Sequence, residues 1–218
     1  MTHRKQIAAV VSQVNINALQ LGYDFENRAL YLFGEIDAMT AYRFISGFKW
    51  LDRTPGPIHV LLSSQGGSTD PGIAIYETLR TANNPIIVEG IGIVASAAVP
   101  VLLAGSVRFL NPHTRVMVHN ISFNVDGTLS TSDATTISKD AEHFNEWYHT
   151  LIAERTGARA KDIDKWCDSE TSFAAEEAVK LGFADKVLEP KPFPASYAEA
   201  LKEIQSYILP KQKRKAKK

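Results

Sequence analysis

The sequence predicts an α/β fold in which mostly parallel strands alternate with helices. Three observations carry this reading. Short apolar runs of strand length alternate with stretches whose apolar residues recur every three or four positions. The strand candidates are apolar on both faces, as a parallel sheet covered by helices requires. Gly, Pro, Asn and Asp cluster at the junctions between them.

Each element follows in order. "RALYLFGEI" reads as a strand ending at Gly34. Asp37 then caps a helix that gathers Ala41, Phe44, Ile45, Phe48 and Leu51 on one face. "PGPIHVLL" turns into a second strand. The loop "SSQGGSTDPG" leads to a helix capped by Asp70, with Pro71 in its first turn, where a missing N–H costs nothing. "PIIVEGIGI" is a third strand, followed by a helix ending at Gly105. "RVMVH" is a further strand entered through the turn "NPHT". A long helix is expected from Asp133 to Arg155, ended by Gly157. Its apolar residues Ile137, Ala141, Phe144, Tyr148 and Leu151 form a narrow seam suited to another helix or subunit. "AEEAVKL" is a last short helix ending at Gly182, and "ADKVL" a closing strand.

The 218 residues suit one domain with a small appendage, and 44% hydrophobic content suffices for a globular core. Formal net charge is zero but unevenly spread. The last eight residues, "KQKRKAKK", hold six of the 24 basic groups, leaving 18 against 24 acidic groups elsewhere. Such a tail reads first as a solvated end, and second as a contact for an anionic partner. A single cysteine, Cys167, permits no internal disulfide, which suits a reducing compartment. It reads as a small packed hydrophobe rather than a nucleophile. No apolar run approaches the length of a membrane span, so a cytoplasmic protein without membrane partners is expected. No cofactor or metal is expected: the phosphate-binding P-loop and H-E-x-x-H are both missing, and His143 and His149 stand six residues apart on one helix.

Two places break the alternation of strand and helix. "SSQGGS" puts a Gly-Gly pair just after a strand, where backbone N–H groups can approach a ligand closely. "IGIVASAAVPVLLAG" carries Ser96 at a strand-to-helix junction. His119 ends the apolar strand "RVMVH", where a titratable side chain has no packing reason to be. Serine, base and oxyanion donors together would make a serine hydrolase. A capping serine and a satisfied histidine would look alike at this level. G-x-S-x-G, the nucleophile elbow of α/β-hydrolases, is missing.

"SSQGGSTDPGIAIYETL", "GIVASAA", "RVMVHN" and "AEEAVKLGFADKV" stand in the order and spacing of the ClpP family, the proteolytic subunits of the Clp protease. The resemblance runs from about Arg28 to Leu188. It implies a ClpP/crotonase-like fold of stacked β-α-β units with a protruding handle helix at about 133–156. The chain then divides into an N-terminal segment (1–27), a peptidase domain (28–190) and a C-terminal extension with the basic tail (191–218). It implies Ser96 as nucleophile, His119 as general base, and Gly67 and Ala97 as oxyanion donors, with Gly66 shaping the loop. The third triad member falls at Glu170, where the family has aspartate, with Asp168 as the alternative. Ser122, Phe123, Asn124 and Val125 match the strand that aligns substrate backbone. Rings of seven, stacked in pairs around a chamber, and an AAA+ unfoldase partner are implied as well, with peptides or unfolded proteins as substrate.

The chain departs from the family at several positions. Ser96 is followed by Ala97, Ala98, Val99 and Pro100, and the proline puts the start of the helix in question. Ala174 stands where a serine usually caps the last helix. Gln65 replaces a proline before the Gly-Gly pair. His59, Leu61 and Thr81 occupy positions where the family docks its unfoldase. Two other readings remain open: a ClpP-like viral head-maturation protease, and a non-catalytic paralogue that only completes a ring.

Overall fold

The structure, a computed structural model, describes residues 18, 20–122 and 128–190. The chain divides into two units, Met1–Leu188 and Glu189–Lys218, and the fold below is that of the first. Its elements run β1 (Tyr23–Asp24), β2 (Ala29–Ile36), α1 (Ala38–Leu51), β3 (Ile58–Gly67), α2 (Thr69–Arg80), β4 (Ile86–Ala95) and α3 (Ala98–Leu103). They continue with β5 (Val107–Leu110), β6 (Arg115–Val118), α4 (Thr131–Thr156), α5 (Ala160–Asp168), β7 (Thr171–Ala174), α6 (Ala175–Lys180) and β8 (Lys186–Val187). This is the α/β fold expected.

The sheet runs β1-β2-β3-β4-β5-β8, with β6 and β7 branching from β4. β2, β3, β4, β5 and β8 pair in parallel, β1 is antiparallel to β2, and β7 antiparallel to β6. The branch arises because β4 changes neighbour along its length. Its first half, Ile87–Gly90, pairs with β5, and its second half, Ile93–Ala95, with β6. The change of neighbour falls around Gly90 and Gly92, where the pairing with β3 also shifts register between Leu62 and Ser64. A Cβ on Gly90 would lie 2.7 Å from Leu110 Cδ2, and Gly92 takes φ +65.

Burial alternates along the strands rather than covering both faces. Leu30, Leu32, Val60, Leu62 and Val88 are buried, whereas Tyr31, Leu61 and Ile87 between them are half-buried and Phe33 is exposed. The covered face receives Phe44, Phe48 and Leu51 of α1, Ile75 and Leu79 of α2, and α3, whose six residues are all buried. The uncovered face is apolar but not enclosed by the described residues.

Several boundaries differ from expectation. β2 does not end at Gly34 but bulges there, with a register shift between Phe33 and Glu35 and φ +79 at the glycine. Asp37 does cap α1, accepting from the Thr40 N–H at 2.6 Å. Asp70 does not cap α2: the helix starts one residue before it, with Ser68 in the extended cap conformation. α6 starts after Ala174, which offers no side-chain cap, as the sequence implied. β1, β5, α5 and β7 were not anticipated. Only α4 carries the long seam, and of it Tyr148, Leu151 and the neighbouring Ile152 are buried. Its first four turns bury no residue.

Asp52 ties α1 to the β4 entrance. It is 6% exposed, and its carboxylate accepts from the backbone N–H of Asn83 and Asn84 and from both their side-chain amides. Burial pushes its carboxyl up, but these hydrogen bonds outweigh that and hold it below the usual carboxylate range. Asp52→Ala is expected to destabilise the fold by about 2 kcal/mol, read by chemical denaturation. A depressed carboxyl contributes stability above its unfolded value, about 3.9, that is lost as pH falls through the folded value. The difference between Asp52→Ala and the parent is therefore expected to shrink only in strong acid.

Candidate active site

The pairing of β4 with β6 builds the site. Ala95 stands opposite Met117, so the two strands end level with one another. The Ser96 N–H continues the ladder and donates to the Met117 carbonyl at 3.0 Å. Ser96 itself takes φ +54. That left-handed conformation costs a residue with a side chain roughly 1–3 kcal/mol. It turns the chain sharply from β4 into α3. His119 follows the last residue of β6, and its Nε2 lies 2.7 Å from Ser96 Oγ. Both side chains are half-buried.

This sharp turn, or elbow, has no glycine of its own. Space for it comes from neighbouring segments. A Cβ on Gly66 would lie 2.7 Å from both the Ala95 carbonyl oxygen and Ser96 Cβ, and one on Gly72 would lie 3.1 Å from Ala97 Cβ. Gly66 and Gly67 take φ +93 and +146, and a Cβ on Gly67 would run into the backbone of Ile36. Buried Ser64 locks this loop, donating to the Gly34 carbonyl at 2.5 Å and accepting from the Gly66 N–H at 3.0 Å. Pro100 is harmless. It is the third residue of α3, where an N–H would have no intrahelical acceptor, and its own carbonyl accepts from Ala104 at 2.8 Å. Arg155 of α4 holds the far end of α3 through the carbonyls of Leu103 and Gly105.

A cleft of about 540 Å³ opens over the pair. Gly67, Ala97, Ser96, His119 and Ser122 all line it, with an apolar wall of Phe144, Trp147 and Tyr148 from α4. Gly66 sits beneath, in contact with the elbow. Phe123, Asn124 and Val125 lie outside the described residues. Tyr148 reaches the elbow from below, its hydroxyl 3.4 Å from the Ser96 carbonyl. Burial, with a smaller push from Cys167, keeps its phenol well above the ordinary tyrosine value and hence neutral.

The carboxylates are placed less simply. β6 and β7 pair with Val118 opposite Thr171, so Glu170 falls at the next register position from His119. Glu170 takes φ +47 in the turn after α5, and its side chain is exposed. Asp168 instead accepts from Asn120 Nδ2 at 2.7 Å. Among the described residues neither carboxylate hydrogen-bonds the His119 ring.

Asn120 is held on every side. Its N–H donates to the Cys167 carbonyl at 3.3 Å, and its Oδ1 meets His149 Nε2 at 2.9 Å. His149 Nδ1 lies 2.9 Å from Asp164 Oδ1, and Asn145 Oδ1 accepts from the next backbone N–H, that of Ile121, at 2.8 Å. Sequence reasoning passed over Asn120, Asn145, Trp147 and Ser64, and weighed His149 only as a metal ligand. Only the i, i+4 spacing of Asn145 and His149 hints that both face one way. Cys167 is buried, and burial pushes its thiol up to about 12, with smaller contributions from Asp168 and Asp164. It is no nucleophile at neutral pH. Among the described residues no group of three or more His, Cys, Asp or Glu side chains could hold a metal ion, and no helix is long and apolar enough to cross a membrane.

Comparison with known proteins shows the family. The family model for the Clp protease matches residues 18–191. The chain is 31% identical over 169 residues to the ATP-dependent Clp protease proteolytic subunit 2 of Thermobifida fusca (strain YX), covering 76% of this chain and 82% of that one. It is 30% identical over 203 residues to the subunit of the same name from Corynebacterium diphtheriae, covering 90% of this chain and 100% of the relative. Among solved structures, a ClpP1 mutant from Listeria monocytogenes superposes with a TM-score of 0.71 at 26% identity, over 80% of this chain and 96% of that one. A serine–histidine pair at the level ends of β4 and β6, a Gly-Gly loop beside it and matches along most of the chain converge on one conclusion: the chain belongs to the Clp protease family.

Proposed function

We propose that the protein is a ClpP-type serine endopeptidase that cuts peptides or unfolded proteins through an acyl-enzyme on Ser96. The observation that carries this is the 2.7 Å contact between Ser96 Oγ and His119 Nε2 at the floor of the cleft. Ser96 Oγ attacks the scissile carbonyl while Nε2 takes its proton. The backbone N–H groups of Gly67 and Ala97, which line the same cleft, receive the developing oxyanion. The imidazolium then gives its proton to the leaving amine, and water repeats the sequence to release the acyl product. Glu170 is the candidate for orienting the His119 ring, on the strength of its register position; Asp168 is already engaged by Asn120. Ser122 and the residues after it would pair an extended substrate as an added strand.

An assembled ring is the working form we infer. Met39, Tyr42 and Trp50 of α1 are 54%, 69% and 58% exposed, more apolar surface than one helix of a lone subunit has reason to show. An AAA+ unfoldase partner fits the uncovered face of β2 and β3, where Tyr23, Tyr31, Phe33 and Leu61 line a second cleft of about 560 Å³. His59 and Thr81 do not line it. The bonded Ser–His pair argues against a purely ring-completing paralogue.

Ser96→Ala is expected to lower hydrolysis of a short fluorogenic peptide by roughly a thousandfold or more and to abolish fluorophosphonate labelling. Unchanged turnover in that variant would sink the assignment. Gly66→Ala forces the elbow aside, and an ångström there is expected to cost about a hundredfold in labelling rate, followed by mass spectrometry.

A further inference from the structure

We propose that His149 works as a cation, clamping Asn120 and thereby positioning the catalytic histidine and the cleft-lining residues beside it. The argument is one of donors and acceptors. Asp168 offers a carboxylate to Asn120, and an ionised carboxylate only accepts, so the amide nitrogen must face it. That leaves Asn120 Oδ1, an acceptor, facing His149 Nε2 at 2.9 Å. The other ring nitrogen, Nδ1, faces the Asp164 carboxylate, a second acceptor, at 2.9 Å. Only an imidazole protonated on both nitrogens satisfies both contacts. The chain of bonds runs from Asp164 through the His149 cation and the Asn120 amide to Asp168, with one positive charge between two negative ones.

The surroundings favour that charge. From α5 the groups facing the ring are Asp164, in direct contact, and Asp168 across the amide. From the segment after β6 only the neutral Asn120 touches it, and on α4 the adjoining ring is that of Tyr148, with centroids 6.5 Å apart. No cation touches His149 among the described residues. Its side chain is 20% exposed, so the pair is partly shielded from water.

Losing the proton breaks the clamp at one end. A neutral ring donates once, so either Asp164 or Asn120 then faces a bare nitrogen. Turning the Asn120 amide over moves the clash to Asp168 without removing it. Asn120 stands between His119 and Ile121, and both neighbours line the cleft. His149 is thus a positioning residue, touching neither substrate nor the reacting atoms. Its effect on turnover rests on the serine-protease reading; its charge state does not.

The test combines two readouts on the full-length protein. NMR of isotope-labelled histidine, with His149 assigned by its absence from His149→Gln, is expected to show both ring nitrogens protonated at neutral pH. Asp164→Asn should lower the doubly protonated fraction of the ring and the rate of peptide hydrolysis together, since it removes the opposite charge in contact. His149→Gln should lower kcat roughly tenfold, with KM changed less. Asp164 is 58% exposed, so its variant keeps the proposal testable if His149→Gln fails to fold. A neutral His149 ring overturns the proposal, as does a hydrolysis rate that Asp164→Asn leaves unchanged. A His149 cation in an enzyme whose Ser96→Ala variant is fully active would instead refute the catalytic assignment and leave the clamp standing.

Discussion

The pairing of β6 onto the second half of β4 is the contact on which the site depends. Without it Ser96 and His119, 23 residues apart in the chain, would sit on separate elements. Two features make the pairing possible. The first is the irregularity around Gly90 and Gly92, where β4 leaves β5 and shifts register against β3. The second is the antiparallel support of β7, which backs β6 from its other side. The register Ala95–Met117 then brings the two strand ends level, and the Ser96 N–H closes the ladder onto Met117. Backbone hydrogen bonds thus bring the serine and histidine side chains together.

A second constraint is steric. A serine held at φ +54 between two alanines needs room, and the chain supplies it from elsewhere. Gly66 leaves space beside Ala95 and Ser96, and Gly72 beside Ala97. The oxyanion candidates therefore lie next to the elbow because the same glycine loop both yields to it and lines the cleft. Ser64, buried and bonded to Gly34 and Gly66, fixes that loop to the bulge of β2. Pro100, the odd feature of the sequence, costs nothing in its observed place and contributes to the cleft wall.

The helices of the second half hold the site from the other side. Tyr148 approaches the elbow, Arg155 secures the end of α3, and Asn145 and His149 hold the segment that follows His119. α4 thus walls the cleft through Phe144, Trp147 and Tyr148. The carboxylates divide in the same way: Asp164 and Asp168 serve the Asn120 network, and Glu170 alone stands in register with His119.

The sequence by itself determined the alternation of strands and helices, the caps at Asp37 and Gly157, the long handle and the two catalytic candidates. These are carried by local pattern: apolar period, turn chemistry, and polar groups where packing gives them no reason to be. It could not show the bulge at Gly34, since a glycine in a strand looks the same whether the strand ends or bulges. It placed a cap at Asp70 because an acid before a proline is a good signal, but the Gly-Gly loop delivers the chain to the helix earlier, at Ser68. Short elements such as β5 and β7 exist only through their neighbours. The turn at Ser96, the bond of Asp168 to Asn120 and the hold of His149 on Asn120 were decided by tertiary structure alone. Each depends on strand register or on side chains converging from separate helices, and neither leaves a period in the chain.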